Sequence, residues 1–235
     1  MIDKIEENDL GFTTIWSKMK ALECGTLFIN TNLPNDLFFD KLTNITCLSE
    51  KMINDVIEIF HKNNMRPFVY TLNNQKLEEL LLKKNFKFYD TQHVLKKSAI
   101  QDDRNFPVHH IEKNDSILWA EIFCKSYDCY DWVDEVNRIV RDSFSQVEYL
   151  TDEEHNASCV ALFEKNPILG LYCLGTIPEK RKKGLAKLLI NYALNKVKSR
   201  NLDFLMLETY QRDGLLDFYS KLGFKKVYEK KVYSI

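Results

Sequence analysis

Apolar residues recur at helical spacing in the second half of the chain. Residues 115–127 (DSILWAEIFCKSY) open on an Asp and carry apolar side chains three and four apart, and 133–144 (VDEVNRIVRDSF) suggests a second helix. The period then shortens. VEYL at 147–150, ASCVALFE at 157–164 and ILGLYCLGT at 168–176 are short apolar runs, separated by TDEEHN and KNP, which is turn chemistry. Three strands are expected there. After Gly184 the stripe Leu185, Leu188, Leu189, Tyr192, Ala193 and Val197 predicts a long helix. LDFLMLET at 202–209 reads as a buried strand and GLLDFYSKLGF at 214–224 as a short helix stopped at Gly223. The closing KKVYEKKVYSI alternates, as a strand or a hairpin does.

The first half echoes this layout. Residues 66–97 run through an apolar strand, a polar turn, a Leu-rich helix, an Asn-Phe stop and an alternating stretch, and 204–235 do the same with Gly-Phe at the stop. Setting Asn85-Phe86 on Gly223-Phe224 aligns the two without a gap, and EKMINDVIEIFHKN at 50–63 then matches the helix after Gly184. Two readings are open: an internal duplication, or two ordinary strand–helix–strand units that look alike. Duplication divides the chain into domains at 1–100 and 105–235, joined by the polar KKSAIQDDRNFPVHH at 96–110. In this register Gly184 falls at Ile45–Thr46, where there is neither glycine nor a cation cluster, and Tyr219 falls on Leu81.

Composition narrows the function. The chain has 235 residues, 45% hydrophobic and 29% charged, with a formal net charge of −1, so a general nucleic-acid-binding surface is not indicated and any positive site must be local. Six cysteines are scattered with no CxxC and no clustered histidines, which argues against a zinc or other metal site and fits thiols in a reducing compartment. The acidic start MIDKIEENDLGF has no apolar core of a signal peptide, and no apolar run reaches the length of a membrane span. A cytoplasmic location without membrane attachment is expected.

GTIPEKRKKGLAKLLINYALNKV at 175–197 places five cations at the front of a helix, where the macrodipole is already positive. Cations there are costly unless an anion sits among them. Gly184 lets a ligand approach the backbone, Ala186 keeps the first turn accessible, and Arg181, Lys182, Lys183 and Lys187 supply counter-charge, so the stretch is a candidate phosphate site. It is neither a G-x-x-x-x-G-K-[ST] loop nor a G-x-G-x-x-G turn.

Pro178-Glu179-Lys180-Arg181-Lys182-Lys183-Gly184-Leu185-Ala186, followed at the right distance by Phe218-Tyr219-Ser220-Lys221-Leu222-Gly223-Phe224, resembles the GNAT superfamily of acetyl-CoA-dependent N-acetyltransferases. The resemblance covers roughly 108–235. The first half is similar to a degenerate GNAT copy. It implies a tandem GNAT fold, α/β, with a mixed, mostly antiparallel sheet flanked by helices. It also implies acetyl-CoA as co-substrate, with no metal. Leu174, Gly175 and Thr176 would pair with pantetheine at a strand bulge. The loop from Arg181 through Lys182, Lys183, Gly184, Leu185, Ala186 and Lys187 would hold the pyrophosphate. Tyr219 would protonate the leaving thiolate as general acid, and its ionisation would shape the high-pH limb of the rate profile. Arg212 and Leu215 stand where many members have Asn and Ala, a departure at a pantetheine contact.

The implied partner is an amine acceptor, a small molecule or a peptide, attacking directly in a ternary complex. A non-catalytic acyl-CoA-binding module is the alternative. The general base is not legible. Glu208 and Glu164 are candidates by position, His155, His109 and His110 read as loop residues, and Cys173 reads as inert packing.

Overall fold

A computed structural model describes residues 1–99, 106–154 and 156–235. Part of the expected linker, residues 100–105, and His155 lie outside the described residues. In chain order the elements begin with α1 (Ile2–Trp16), β1 (Lys18–Leu22), β2 (Gly25–Ile29), β3 (Lys41–Thr43), α2 (Glu50–Lys62) and β4 (Phe68–Thr71). They continue with α3 (Gln75–Lys83), β5 (Lys87–Lys97), β6 (Val108–His110), α4 (Ser116–Tyr127), α5 (Val133–Asp142) and β7 (Val147–Asp152). The chain closes with β8 (Ser158–Lys165), β9 (Ile168–Thr176), α6 (Leu185–Ser199), β10 (Phe204–Tyr210), α7 (Leu216–Lys221) and β11 (Lys225–Ser234).

By residue contacts the chain falls into two compact units, and neither is one continuous stretch. The first is Met1–Phe12 with Lys96–Leu207, and the second is Thr13–Leu95 with Glu208–Ile235. Each is a mixed, mostly antiparallel sheet flanked by helices, the fold class the sequence implies.

In the first unit the strands run β10-β9-β8-β7-β6. All pairs are antiparallel except β9 with β10. Successive residues of β8 from Ser158 to Phe163 are buried, and since strand side chains alternate in direction, both faces are covered. Helices α4 and α6 both pack on β8 and β9. From α4, Trp119 donates its indole N–H to the Val160 carbonyl at 3.1 Å and meets Tyr149 edge-on at 4.9 Å. From α6, Leu185, Leu189, Ile190, Ala193, Leu194 and Val197 are buried, close to the stripe expected from spacing. The start of α1 joins this unit. Phe12 stacks on Tyr172 at 3.9 Å, Asn8 donates to the Ile168 carbonyl at 3.2 Å, and the Tyr172 hydroxyl donates to Asn8 at 2.8 Å.

In the second unit the order is β1-β2-β3-β4-β11-β5. One apolar cluster joins Ile53, Val56 and Phe60 of α2, Leu77 and Leu81 of α3, and Leu27, Leu42, Val69 and Tyr233 of the strands. The closing segment is a single strand, not a hairpin. It has no turn residue, and it lies between β4 and β5, where both edges find partners. Its pairing with β4 is antiparallel, from Lys231 opposite Thr71 to Ser234 opposite Phe68.

Helices α3 and α7 end alike. Asn85 (φ 66°) and Gly223 (φ 85°) are both left-handed. The next amide, Phe86 or Phe224, bonds back to Leu81 or Tyr219, each at 3.0 Å.

The expectation of six thiols fails at two positions. Cys24 and Cys47 form a disulfide, with Cα atoms 5.2 Å apart, a separation a disulfide spans. The amide of Thr46 bonds to the Cys24 carbonyl at 2.9 Å and brings the segments together, a contact that 23 residues of separation conceal. The argument from thiols to a reducing compartment therefore rests on the other four cysteines.

Candidate active site

The chemistry-bearing stretch begins where β9 leaves its neighbours. Tyr172 lies opposite Ala161 and Gly175 opposite Cys159, so Cys173 and Leu174 together face Val160 in a β-bulge. Cys173 takes a left-handed conformation, φ 53°, which costs a non-glycine residue roughly 1–2 kcal/mol. On the other edge, parallel register with β10 covers Ile168 to Leu171 only. The bulged end thus runs on outside that register.

The last turn of α4 sits on this end. The Tyr127 hydroxyl donates to the Leu174 carbonyl at 3.0 Å. Gly175 lies so close to α4 that a Cβ there would come 2.7 Å from Ser126 Cβ and 3.0 Å from its Oγ, so close approach explains this glycine. The Gly175 carbonyl accepts the Ser158 hydroxyl at 2.6 Å.

The loop beyond β9 makes a short turn at Pro178–Lys180, passes Lys182 (φ 63°) and reaches Gly184 (φ 87°). Both are left-handed, which Gly184 adopts without penalty. A Cβ on Gly184 would meet nothing within 4 Å, so its backbone faces open space. Helix α6 follows with no side-chain cap, and its first amides remain available to an anion. Helix α2 is different: the Ser49 hydroxyl accepts the Met52 amide at 3.1 Å. Leu185 is buried and anchors the turn, Ala186 is half-buried, and Lys182, Lys183 and Lys187 are exposed. Lys97 adds a cation that the sequence reading missed. Burial, and then the charge of Lys187, hold its pKa below the usual lysine value.

Arg181 has a second use for its side chain. Its guanidinium donates to the Thr176 carbonyl at 3.1 Å and to the Ser126 carbonyl at 2.9 Å. It ties the end of β9 to the end of α4.

Tyr219 lies in the second unit, whereas the bulge, the loop and α6 lie in the first. Its side chain is 5% exposed, and among the described residues no group hydrogen-bonds its hydroxyl. Burial, and then the charge of Asp213, push its pKa well above the ordinary phenol value. A limb of the rate profile that followed its ionisation would therefore sit at higher pH than an ordinary phenol gives. Arg212 pairs with Asp90, bonds the Tyr89 hydroxyl at 3.2 Å and stacks on that ring at 4.2 Å.

The candidate bases have other partners. Glu208 and Lys230 are a buried pair at 3.4 Å, and Gln92 donates to Glu208 at 3.0 Å. Glu164 pairs with Arg200 at 3.0 Å and lies opposite Leu169, at the end of β9 away from the loop. His109 and His110 are in β6 rather than a loop, and His110 faces Glu148 at 3.3 Å. Cys173 is the bulge residue and half-buried, not a core position.

Residues 111–224 match the model of the Acetyltransferase (GNAT) family. They form a GNAT domain. Its span takes in α4, the bulge, the basic loop and Tyr219, and so draws on both compact units. No curated protein sequence matches the chain. Solved structures do. A GCN5-related N-acetyltransferase from Kribbella flavida is similar over 98% of this chain and 93% of its own, at 10% identity and TM-score 0.67. A conserved protein of unknown function from Staphylococcus epidermidis ATCC 12228 is similar over 94% of each chain, at 12% identity and TM-score 0.66. A tandem GNAT protein from the clavulanic acid biosynthesis pathway covers 90% of this chain and 78% of its own, at 8% identity and TM-score 0.59. At such identities the likeness is one of fold, and it extends beyond the GNAT domain to the first half of the chain.

Proposed function

We propose that the GNAT domain is an acetyl-CoA-dependent N-acetyltransferase acting on an amine, small molecule or peptide, by direct attack in a ternary complex. The observation that carries this reading is the bulged, splayed end of β9 running into an uncapped helix start with open space at Gly184. Acetyl-CoA supplies an acetyl thioester and a thiolate leaving group. The amides from Lys182 to Lys187 hold the pyrophosphate, with Lys182, Lys183, Lys187 and Lys97 as counter-charge. A helix terminus contributes roughly 0.3–1 kcal/mol per exposed charge, so these cations supply a needed share. Leu174, Gly175 and Thr176 pair with pantetheine, whose amide N–H displaces the Tyr127 hydroxyl from the Leu174 carbonyl. Tyr219, held protonated by burial, donates its proton to the departing sulfur. Arg181 acts through its two carbonyls and keeps the loop and α4 in place.

We also read 1–100 as a degenerate copy of 105–235. The identical closure of α3 and α7 supports this, and Leu81 then occupies the position of Tyr219. The Ser49 cap closes α2 against an anion, so the first copy binds no acetyl-CoA.

Titration calorimetry with acetyl-CoA tests the reading, together with thiol release across a panel of amines. One site per chain and amine-dependent thiol release are expected. Gly184→Glu puts a carboxylate where the pyrophosphate belongs and should abolish binding with the fold intact. Normal binding by that variant, or two sites per chain, overturns the assignment.

A further inference from the structure

Helix α4 ends in a closure that brings two cysteines together. Asp128 is left-handed, φ 57°, and the amide of Cys129 bonds back to the Cys124 carbonyl at 2.9 Å. In this motif the side chains at the two ends of the closing bond meet, usually as an apolar contact. Here both are thiols. With that 2.9 Å bond and standard bond lengths, the two Cα atoms lie at most about 6.8 Å apart. A disulfide spans roughly 4.4–6.8 Å. The neighbouring Cys129 side chain, and then burial, raise the Cys124 pKa. Cys124 is buried and Cys129 half-buried, so Cys129 is the more accessible of the two. Cys159 is buried and its thiol is directed to the Cys173 carbonyl at 3.6 Å.

The turn between the two cysteines carries contacts of α4 with the bulge and loop, among them Lys125 paired with Glu179 at 3.3 Å. The Ser126 carbonyl accepts from Arg181, and the Tyr127 hydroxyl donates to Leu174. A covalent link across 124 and 129 would fasten the turn that makes them.

We infer that Cys124 and Cys129 are a redox-active dithiol that exchanges with low-molecular-weight disulfides of the glutathione type and, once oxidised, locks the last turn of α4. The Cys129 thiolate attacks one sulfur of the external disulfide, which leaves as one thiolate and remains as one mixed disulfide. Cys124 then loses its proton and attacks the Cys129 sulfur, expelling the second external thiolate. The dithiol is oxidised by two electrons and the external disulfide is reduced to two thiols. Exchange proceeds through the thiolate, so it quickens as pH rises. This inference stands on α4 and β9 and does not depend on acetyl transfer.

The test incubates the folded full chain with glutathione disulfide at mildly alkaline pH, followed by acid quench, alkylation and non-reducing peptide mapping. A Cys124–Cys129 link is expected, with two fewer thiols titrating in denaturant. Hydrogen exchange of the amides at 126–129 should slow by about 10-fold, because the turn no longer opens locally. Cys124→Ser should stop at a glutathione adduct on Cys129. Should that variant fail to fold, Cys129→Ser serves instead and should leave Cys124 unmodified in the folded chain. The inference is overturned if the wild type also stops at a mixed adduct, if the link forms only in urea, or if it joins other cysteines.

Discussion

Gly175→Ala tests the seam between β9 and α4. The new Cβ would lie 2.7 Å from Ser126 Cβ and 3.2 Å from the Tyr127 ring, whereas carbon atoms rest about 3.5–4.0 Å apart. The strand cannot retreat easily, because Ser158 holds the Gly175 carbonyl at 2.6 Å and the Ile177 amide holds Ala157 at 2.9 Å. The end of α4 must therefore lift, loosening the bonds of Ser126 to Arg181 and of Tyr127 to Leu174. Overpacking of this kind costs about 1–3 kcal/mol, and each loosened hydrogen bond adds about 0.5–1.5 kcal/mol. A chain of this size loses about 2–4 °C per kcal/mol, so a total of about 2–6 kcal/mol should lower the melting temperature seen by calorimetry by about 4–24 °C. Ser126→Gly removes the two closest clashing atoms at its own cost of about 0.5 kcal/mol. The double variant should be more stable than Gly175→Ala alone, with a coupling of at least ~1 kcal/mol. A Gly175→Ala chain as stable as the parent, or strictly additive effects, would refute the reasoning.

Tyr219→Phe keeps the buried ring and removes the hydroxyl; kcat should fall by about 10²-fold with acetyl-CoA affinity unchanged. A loss of affinity at constant kcat makes Tyr219 a cofactor contact instead. Arg181→Gln can still donate to the carbonyls of Thr176 and Ser126, so calorimetry should find acetyl-CoA affinity nearly retained, whereas Lys182→Ala with Lys183→Ala should weaken it and flatten its salt dependence. A salt-dependent loss in Arg181→Gln would make that residue a phosphate ligand. Burial pushes the Asp40 carboxyl from 3.8 up to about 8, opposed by the amide of Asn30 and assisted by Asp36. The folded chain thus holds a proton that the unfolded chain has lost between those values, and stability should fall as pH rises through that window. Melting temperatures between pH 5 and 9 should show the decline, Asp40→Asn should flatten it, and a rise in the parent would contradict it.

The sequence made the local elements of the GNAT domain legible because its signals are local. The stripe from Leu185 to Val197, the runs of β7 to β9 and the stop at Gly223 all appear near their expected places. The site was legible as a motif, since Gly184 and the cations adjoin in sequence. Its support was not. Arg181 reads as one more cation until Thr176 and Ser126 are seen beside it, and Ser126 is 55 residues away. Cys173 reads as a buried strand residue because a bulge shifts register without any change of composition. Cys124 and Cys129 escaped a search for CxxC because their meeting depends on one left-handed aspartate. Helix α1 was missed in a region whose polar face and interior Gly11 weaken the pattern. Whether the closing stretch is one strand or a hairpin stayed open, because alternation does not say how many neighbours a strand has.

The two ends of the chain are exchanged between the compact units. Residues 1–12 complete the unit built mainly from the second half, and 208–235 complete the one built mainly from the first. On the ribosome, the segment 13–95 emerges early yet cannot close its sheet, because β11 must come between β4 and β5. Until synthesis reaches β11, the strands β4 and β5 have open edges of the kind that invite pairing with other chains. The early half thus waits longest for its native partner, and its open strand edges are the ones most exposed to mispairing while translation runs on.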